Sequence, residues 1–303
     1  MTRPAIERAL LCLGAHSAGT SRHSCQLLPR WLPSVDEHDE YAPGPFAQGL
    51  CGGVPLSVPE LILPQWSAPE GVRAAVTTRA GGVSRLPHDS LNLGLGNGDD
   101  TDAVMENRRR LRETLNLPDE PAWLHQVHGI QVVEAQGVDP EKPPKADASI
   151  TRTPGLACAV LTADCLPVLF CDRLGQQVAA AHAGWRGLVA GVLEATVEAF
   201  DCPPMDVIAW LGPCIGPQAF EVGPEVRQAF MDRDPSVDAA FAPSPQGRWL
   251  ADLHRLARRR LQDCGVTQIT GNPACTHSEP ERFYSYRRDG ETGRMASLIW
   301  LLR

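Results

Sequence analysis

The spacing of apolar and polar residues changes character along the chain. Residues 1 to about 55 mix Pro, Gly, Ser and His with isolated hydrophobics and show neither a helical nor a two-residue period, apart from a short apolar stretch over residues 9–13. Residues 1–55 therefore read as a poorly ordered extension, and residues 56–303 as one folded domain. Within that domain VRAAVTTR (residues 72–79) has strand character, and RAGGVS with LNLGLGNGDD forms a loop region rich in Gly and Asn. Asp102 stands where an N-cap would, ahead of the helix-like AVMENRRRLRETLNL. Six short apolar segments follow in close succession: AWLHQV, IQVVEA, ADASIT, LACAVLT, LPVLFCD and QVAAAHA. Their connections are too short for crossover helices, which predicts hairpins. A helix is expected over residues 188–200, then the strand DVIAWLG, helices near 224–232 and 250–264, and a closing strand MASLIWL. Clustered strands with helices interspersed late predict an α+β fold with a mixed sheet and helices packed on it, and not a doubly wound one.

Composition narrows the classes of function. At 303 residues, 43% hydrophobic and 21% charged, the chain can bury the core of an ordinary globular protein. A net charge of -8 lacks the basic face needed to grip a nucleic-acid backbone, so no nucleic-acid partner is expected. No run of 18 apolar residues is present, which leaves no membrane span, and the apolar core of the first residues is too short for a good signal peptide. A cytoplasmic location follows as the expectation. The ten cysteines are scattered, with no CxxC, and several lie inside apolar runs as reduced core thiols would. Lys142 and Lys145 are the only lysines, so positive charge rests on Arg and an Arg beside a motif is weak evidence on its own.

Candidate chemistry begins with the histidines. HQVHG places His125 and His128 three apart, so in an extended segment only one of them faces a given side. TADCLP ends one predicted strand and opens the next, and AHAGWRG ends the third and opens a helix. If those two strands pair as a hairpin, Cys165 and His182 converge at its open end. With His128 they make a thiolate and two imidazoles, a three-ligand set suited to Zn²⁺, with Cu²⁺ also accommodated, and a fourth position open to water or substrate. A structural zinc would have four protein ligands.

The motifs TTRAGGVS, SLNLG, GDD, HQVHG, ADC, HAGWRG, LGPCIG and FYSYRRDGETGRMASLIWL, in this order from about residue 61 to 303, resemble those of the YfiH-like family, also known as the laccase-domain or multicopper polyphenol oxidase family. The resemblance implies a YfiH-like layered domain and metal ligands at His128, Cys165 and His182, which are also the implied catalytic residues. It further implies phosphorolysis of adenosine, inosine and S-methyl-5′-thioadenosine, with some adenosine deamination. One departure is visible, since the loop after SLNLG reads LGLGNGDD where the family commonly has a His before GDD. The oxidase label fits poorly, because the HxH pairs of a trinuclear copper cluster are missing. The paired zinc-deaminase pattern is missing too, as PCIGP lacks the second cysteine.

Phosphorolysis requires an anion site. Arg186, at the start of the helix after HAGWRG, is a candidate, and Arg79, Arg287 and Arg288, all beside family motifs, are others. The competing expectation is a cysteine hydrolase or amidase using Cys165 with His182 as its base, like deamidase toxins of this fold, with a role in peptidoglycan editing. A metal needs His128; a Cys–His pair does not.

Overall fold

A computed structural model describes residues 58–136, 139 and 142–303. The expected extension over residues 1–55 lies outside the described residues. In chain order the strands and helices are β1 (Leu61–Ile62), β2 (Val72–Thr77), α1 (Thr101–Thr114), β3 (Val132–Glu134), β4 (Ala148–Thr151), β5 (Ala157–Thr162), β6 (Leu166–Asp172) and β7 (Val178–Ala183). They continue with α2 (Trp185–Ala190), α3 (Val192–Glu198), β8 (Val207–Leu211), β9 (Glu221–Val222), α4 (Pro224–Met231), β10 (Phe241–Ser244), β11 (Arg248–Ala251), α5 (Leu253–Asp263), β12 (Gln268–Gly271), α6 (Tyr286–Asp289) and β13 (Met295–Leu301).

Three sheets organise these elements: a six-stranded sheet in the order β12-β8-β6-β7-β4-β3, a four-stranded sheet β1-β2-β13-β5, and a small sheet β10-β11-β9. Parallel pairs β3·β4 and β8·β12 beside antiparallel ones make the large sheet mixed, as expected of the α+β class. Side-chain alternation explains the layering. On β6, Leu166, Val168 and Phe170 join a core with Leu188, Val192, Leu193, Leu256 and Leu261 of α2, α3 and α5. Leu169 and Cys171 point the other way, against Val160 of β5, Val76 of β2 and Ile299 of β13. The outer face of the four-stranded sheet is covered by Leu91, Leu93, Trp123 and Leu111 of α1. Strands buried on both faces lose polar alternation, which is why LPVLFCD reads as one apolar run.

Several predicted elements change. AWLHQV is no strand; only isolated bridges at Ala122 and His125 remain, and the side-chain amide of Gln126 pairs with both backbone groups of Leu161 in place of a ladder. Of the predicted hairpins only β6·β7 forms, because β5 crosses to the other sheet and β3 runs parallel to β4. Helix α1 starts two residues earlier than expected, capped by Asp100, which accepts from the Asp102 N–H. The predicted 188–200 helix starts at Trp185 and breaks at Gly191, whose φ of 115° only glycine adopts readily.

Candidate metal centre and its cleft

The β6·β7 hairpin register pairs Pro167 with His182 and Leu166 with Ala183, so Cys165, just before β6, arrives beside the end of β7. His128 comes from the loop before β3 in a left-handed conformation (φ 60°). Its Nε2 lies 3.9 Å from Cys165 Sγ, and its ring meets that of His182 edge-on at 4.8 Å between centroids. One donor atom each from His128, Cys165 and His182 fall within 4.8 Å of one another. His128 is exposed, Cys165 half-buried and His182 buried at 3% exposure, so one side of the cluster opens to solvent.

Two buried carboxylates hold the turns that carry these donors. Asp147, at 0% exposure, accepts the His182 Nδ1 proton at 2.8 Å and the backbone N–H groups of Val127, His128 and Gly129 at 3.2, 2.9 and 2.7 Å. Asp164 sits at φ 87°, a strained position for a non-glycine residue. It is locked there by Thr276 Oγ1 at 2.7 Å, Ser285 Oγ at 3.0 Å and the Arg287 N–H at 2.7 Å, all donating to its carboxylate. Gly184, at the end of β7, leaves the room the donors occupy: a Cβ there would meet His128 Cδ2 at 2.9 Å and Cys165 Sγ at 3.0 Å.

The electrostatics favour charged donors. Burial pushes the Cys165 thiol up, but the charge of His182 and the hydrogen bond from His128 outweigh it and bring the pKa down to about 6. Burial acts to lower the His182 value, yet the Cys165 thiolate and the Asp147 carboxylate raise it to about 9. For Asp147 burial acts upward and is overcome by its bonds from His182 and Gly129, leaving it below the usual carboxylate range. By contrast, burial pushes Cys158 and Cys171 up to about 12.

The donors line the floor of a cleft of about 660 Å³. Arg186 and Arg287 line it as well, as do Trp185 and Phe220. The Arg186 guanidinium lies 4.5 Å over the Trp185 ring, and Arg287, 5.4 Å over Phe220, donates to the Glu221 carbonyl at 2.7 Å. Arg79 and Arg288 are not among the residues lining the cleft. Arg79 is tied to Asp89 and to the Pro280 carbonyl, and Arg288 to the carbonyls of Thr276, His277 and Phe283. Arg294, which the sequence did not single out, lines the cleft, and burial lowers its pKa. His125 also lines the cleft but stands outside the donor cluster. Asn97 of the LGLGNGDD loop faces the same space. Among the described residues no helix is long and apolar enough to cross a membrane.

A tetrahedral zinc with bonds of about 2.0–2.3 Å separates its ligand atoms by roughly 3.4–3.7 Å. The 3.9 Å between His128 Nε2 and Cys165 Sγ is within a few tenths of that. One thiolate, two imidazoles and a carboxylate behind one of them fit a borderline-soft cation.

The family model for multi-copper polyphenol oxidoreductase laccase matches residues 73–302. The chain is similar to the purine nucleoside phosphorylase YfiH of Escherichia coli (strain K12), with 58% identity over 243 residues, covering 80% of this chain and 99% of that one. It is equally similar to a purine nucleoside phosphorylase of Pseudomonas aeruginosa, 58% identical over 241 residues, covering 79% of this chain and 98% of the relative. Among solved structures, a Neisseria meningitidis protein superposes with a TM-score of 0.78 at 49% identity, covering 80% of this chain and 99% of its own.

Proposed function

The chain belongs to the multi-copper polyphenol oxidoreductase laccase family, whose relatives bear the name YfiH, and from that premise we propose that it is a metal-dependent purine nucleoside phosphorylase. The observation that carries the mechanism is the convergence of His128, Cys165 and His182 on the floor of a cleft whose walls include Arg186, Arg287 and Arg294. The reading takes adenosine, inosine and S-methyl-5′-thioadenosine as substrates, with phosphate as co-substrate and adenosine deamination as a side activity. It takes the enzyme to be cytoplasmic and residues 56–303 to be its catalytic domain.

In phosphorolysis a phosphate oxygen bonds to C1′ of the ribose while the C1′–N9 bond breaks and its electron pair leaves on the purine. Two accumulations of negative charge must be held at once. The guanidinium groups of Arg186, Arg287 and Arg294 are fixed by stacking or by carbonyl contacts and can bind the phosphate without reorganising. Trp185 and Phe220 offer apolar faces to the base or sugar. His128, Cys165 and His182 would hold Zn²⁺, with Cu²⁺ tolerated. When bound, the metal supplies a Lewis-acid position open to water or a substrate atom. The peptidoglycan amidase alternative is not favoured, since the relatives carry the phosphorylase name and the third donor, His128, has no part in a Cys–His pair.

Incubation with inosine, with and without phosphate, tests the reading. Hypoxanthine and ribose 1-phosphate should form together, and only with phosphate. Equal base release without phosphate would make the protein a hydrolase.

A further inference from the structure

We propose that Asp147 is a positioning residue that sets both histidine ligands at once: it fixes which nitrogen of His182 faces the metal, and it folds the loop that presents His128. The inference rests on the metal-centre reading above. Asp147 immediately precedes β4, which lies between β7 and the edge strand β3 of the large sheet, and its carboxylate is wholly enclosed, so it has no access to water. Both of its oxygens are used twice. Oδ1 accepts from His182 Nδ1 at 2.8 Å and His128 N–H at 2.9 Å, and Oδ2 accepts from Gly129 N–H at 2.7 Å and Val127 N–H at 3.2 Å. The Asp147 carbonyl also accepts the His182 N–H at 2.7 Å.

Two consequences follow from this count. With Nδ1–H directed at Asp147, the lone pair of the neutral His182 ring sits on Nε2, on the side of Cys165 and His128. The loop over residues 127–129 has three successive N–H groups turned to one carboxylate, which holds His128 at its φ of 60°. A non-glycine residue does not keep that conformation without support. The same side chain therefore registers two ligands that are 54 residues apart in sequence, a role that neither ligand can take over.

Asparagine cannot substitute. Whichever way its amide sits, the NH₂ meets two N–H donors: the His128 N–H and His182 Nδ1, or the Val127 and Gly129 N–H groups. In the first arrangement His182 can accept only by moving its proton to Nε2, which removes the lone pair the metal needs.

The test measures zinc affinity by competition with a chromophoric chelator on the full-length wild-type and Asp147→Asn proteins, together with the His182 tautomer from ¹⁵N NMR of the zinc-loaded wild type. The wild type should bind one zinc with Nδ1 of His182 protonated, and Asp147→Asn should bind it about 10- to 100-fold more weakly. A wild type that binds no zinc overturns the metal-centre reading itself. A wild type that binds zinc through Nδ1 of His182, or an Asp147→Asn protein that is folded and binds as tightly, leaves the metal centre standing and overturns the role of Asp147. The tautomer is read on the wild type, so the inference stays testable even if the variant does not fold.

Discussion

Gly184→Ala should disable the metal centre while leaving the fold nearly intact. The backbone at Gly184 (φ -59°, ψ 153°) is one that alanine adopts without strain, and the substitution removes freedom from the unfolded chain worth about 0.4–1 kcal/mol. Against this, the new methyl would sit 2.9 Å from His128 Cδ2 and 3.0 Å from Cys165 Sγ. Ordinary carbon contacts are about 3.5–4.0 Å, so His128 or Cys165 must move by roughly 0.5–1 Å. His128 is on the exposed side and can swing away, which keeps the overpacking cost near the lower end of about 1–3 kcal/mol. The net stability change is then about 1 kcal/mol or less, a shift of roughly 2–4 °C in Tm for a domain of this size. A metal site tolerates only about 0.2 Å in its bond lengths, so zinc affinity should fall at least about tenfold, with turnover falling alongside. Thermal unfolding without metal and chelator competition with zinc provide the two readings. A folded Gly184→Ala protein whose zinc affinity stays within about twofold of wild type would refute this account of the donor geometry.

Other outcomes follow from the same structure. In metal-free protein Cys165 should react with iodoacetamide along a titration centred near pH 6, its thiolate forming as pH rises, while Cys158 and Cys171, pushed up to about 12, stay unmodified at pH 7; peptide mapping across pH 5–9 checks this. Phe170→Ala, which empties a fully buried position in the middle strand of the large sheet, should cost about 3–5 kcal/mol in urea unfolding, and a loss below 1 kcal/mol would mean that the helix-facing core is not packed as described. Removing residues 1–55 should lower Tm by no more than about 3 °C, because their sequence has no periodic pattern able to bury a continuous apolar face; a larger drop shows that the extension contributes to the fold.

Much of the centre was legible in the sequence because it depends on local register. LPVLFCD and QVAAAHA are joined by four residues, so a hairpin is their simplest pairing, and its open end brings Cys165 to His182 whatever the rest of the fold does. The supporting carboxylates were not legible. Asp147 and Asp164 look like polar residues at the edges of apolar strands, and their roles depend on loops up to 123 residues away in sequence. An acidic residue opening an apolar strand, as in ADASIT and TADCLP, was the one available signal. Sheet membership was also hidden, since LACAVLT and LPVLFCD have the same apolar texture yet lie in different sheets. Arg79 and Arg288 could not be told from Arg186 and Arg287 by motif proximity, because only the tertiary structure separates guanidinium groups tied to backbone carbonyls away from the cleft from those lining it.

The central claim is that this centre, loaded with metal, cleaves nucleosides with phosphate. The most direct measurement titrates zinc into chelator-treated protein and follows hypoxanthine and ribose 1-phosphate released from inosine in phosphate buffer. Turnover should be absent without metal, rise in proportion to bound zinc and level off at one zinc per chain. Full phosphorolysis by the metal-free protein, or by a His128→Ala variant shown to hold no zinc, would contradict the account.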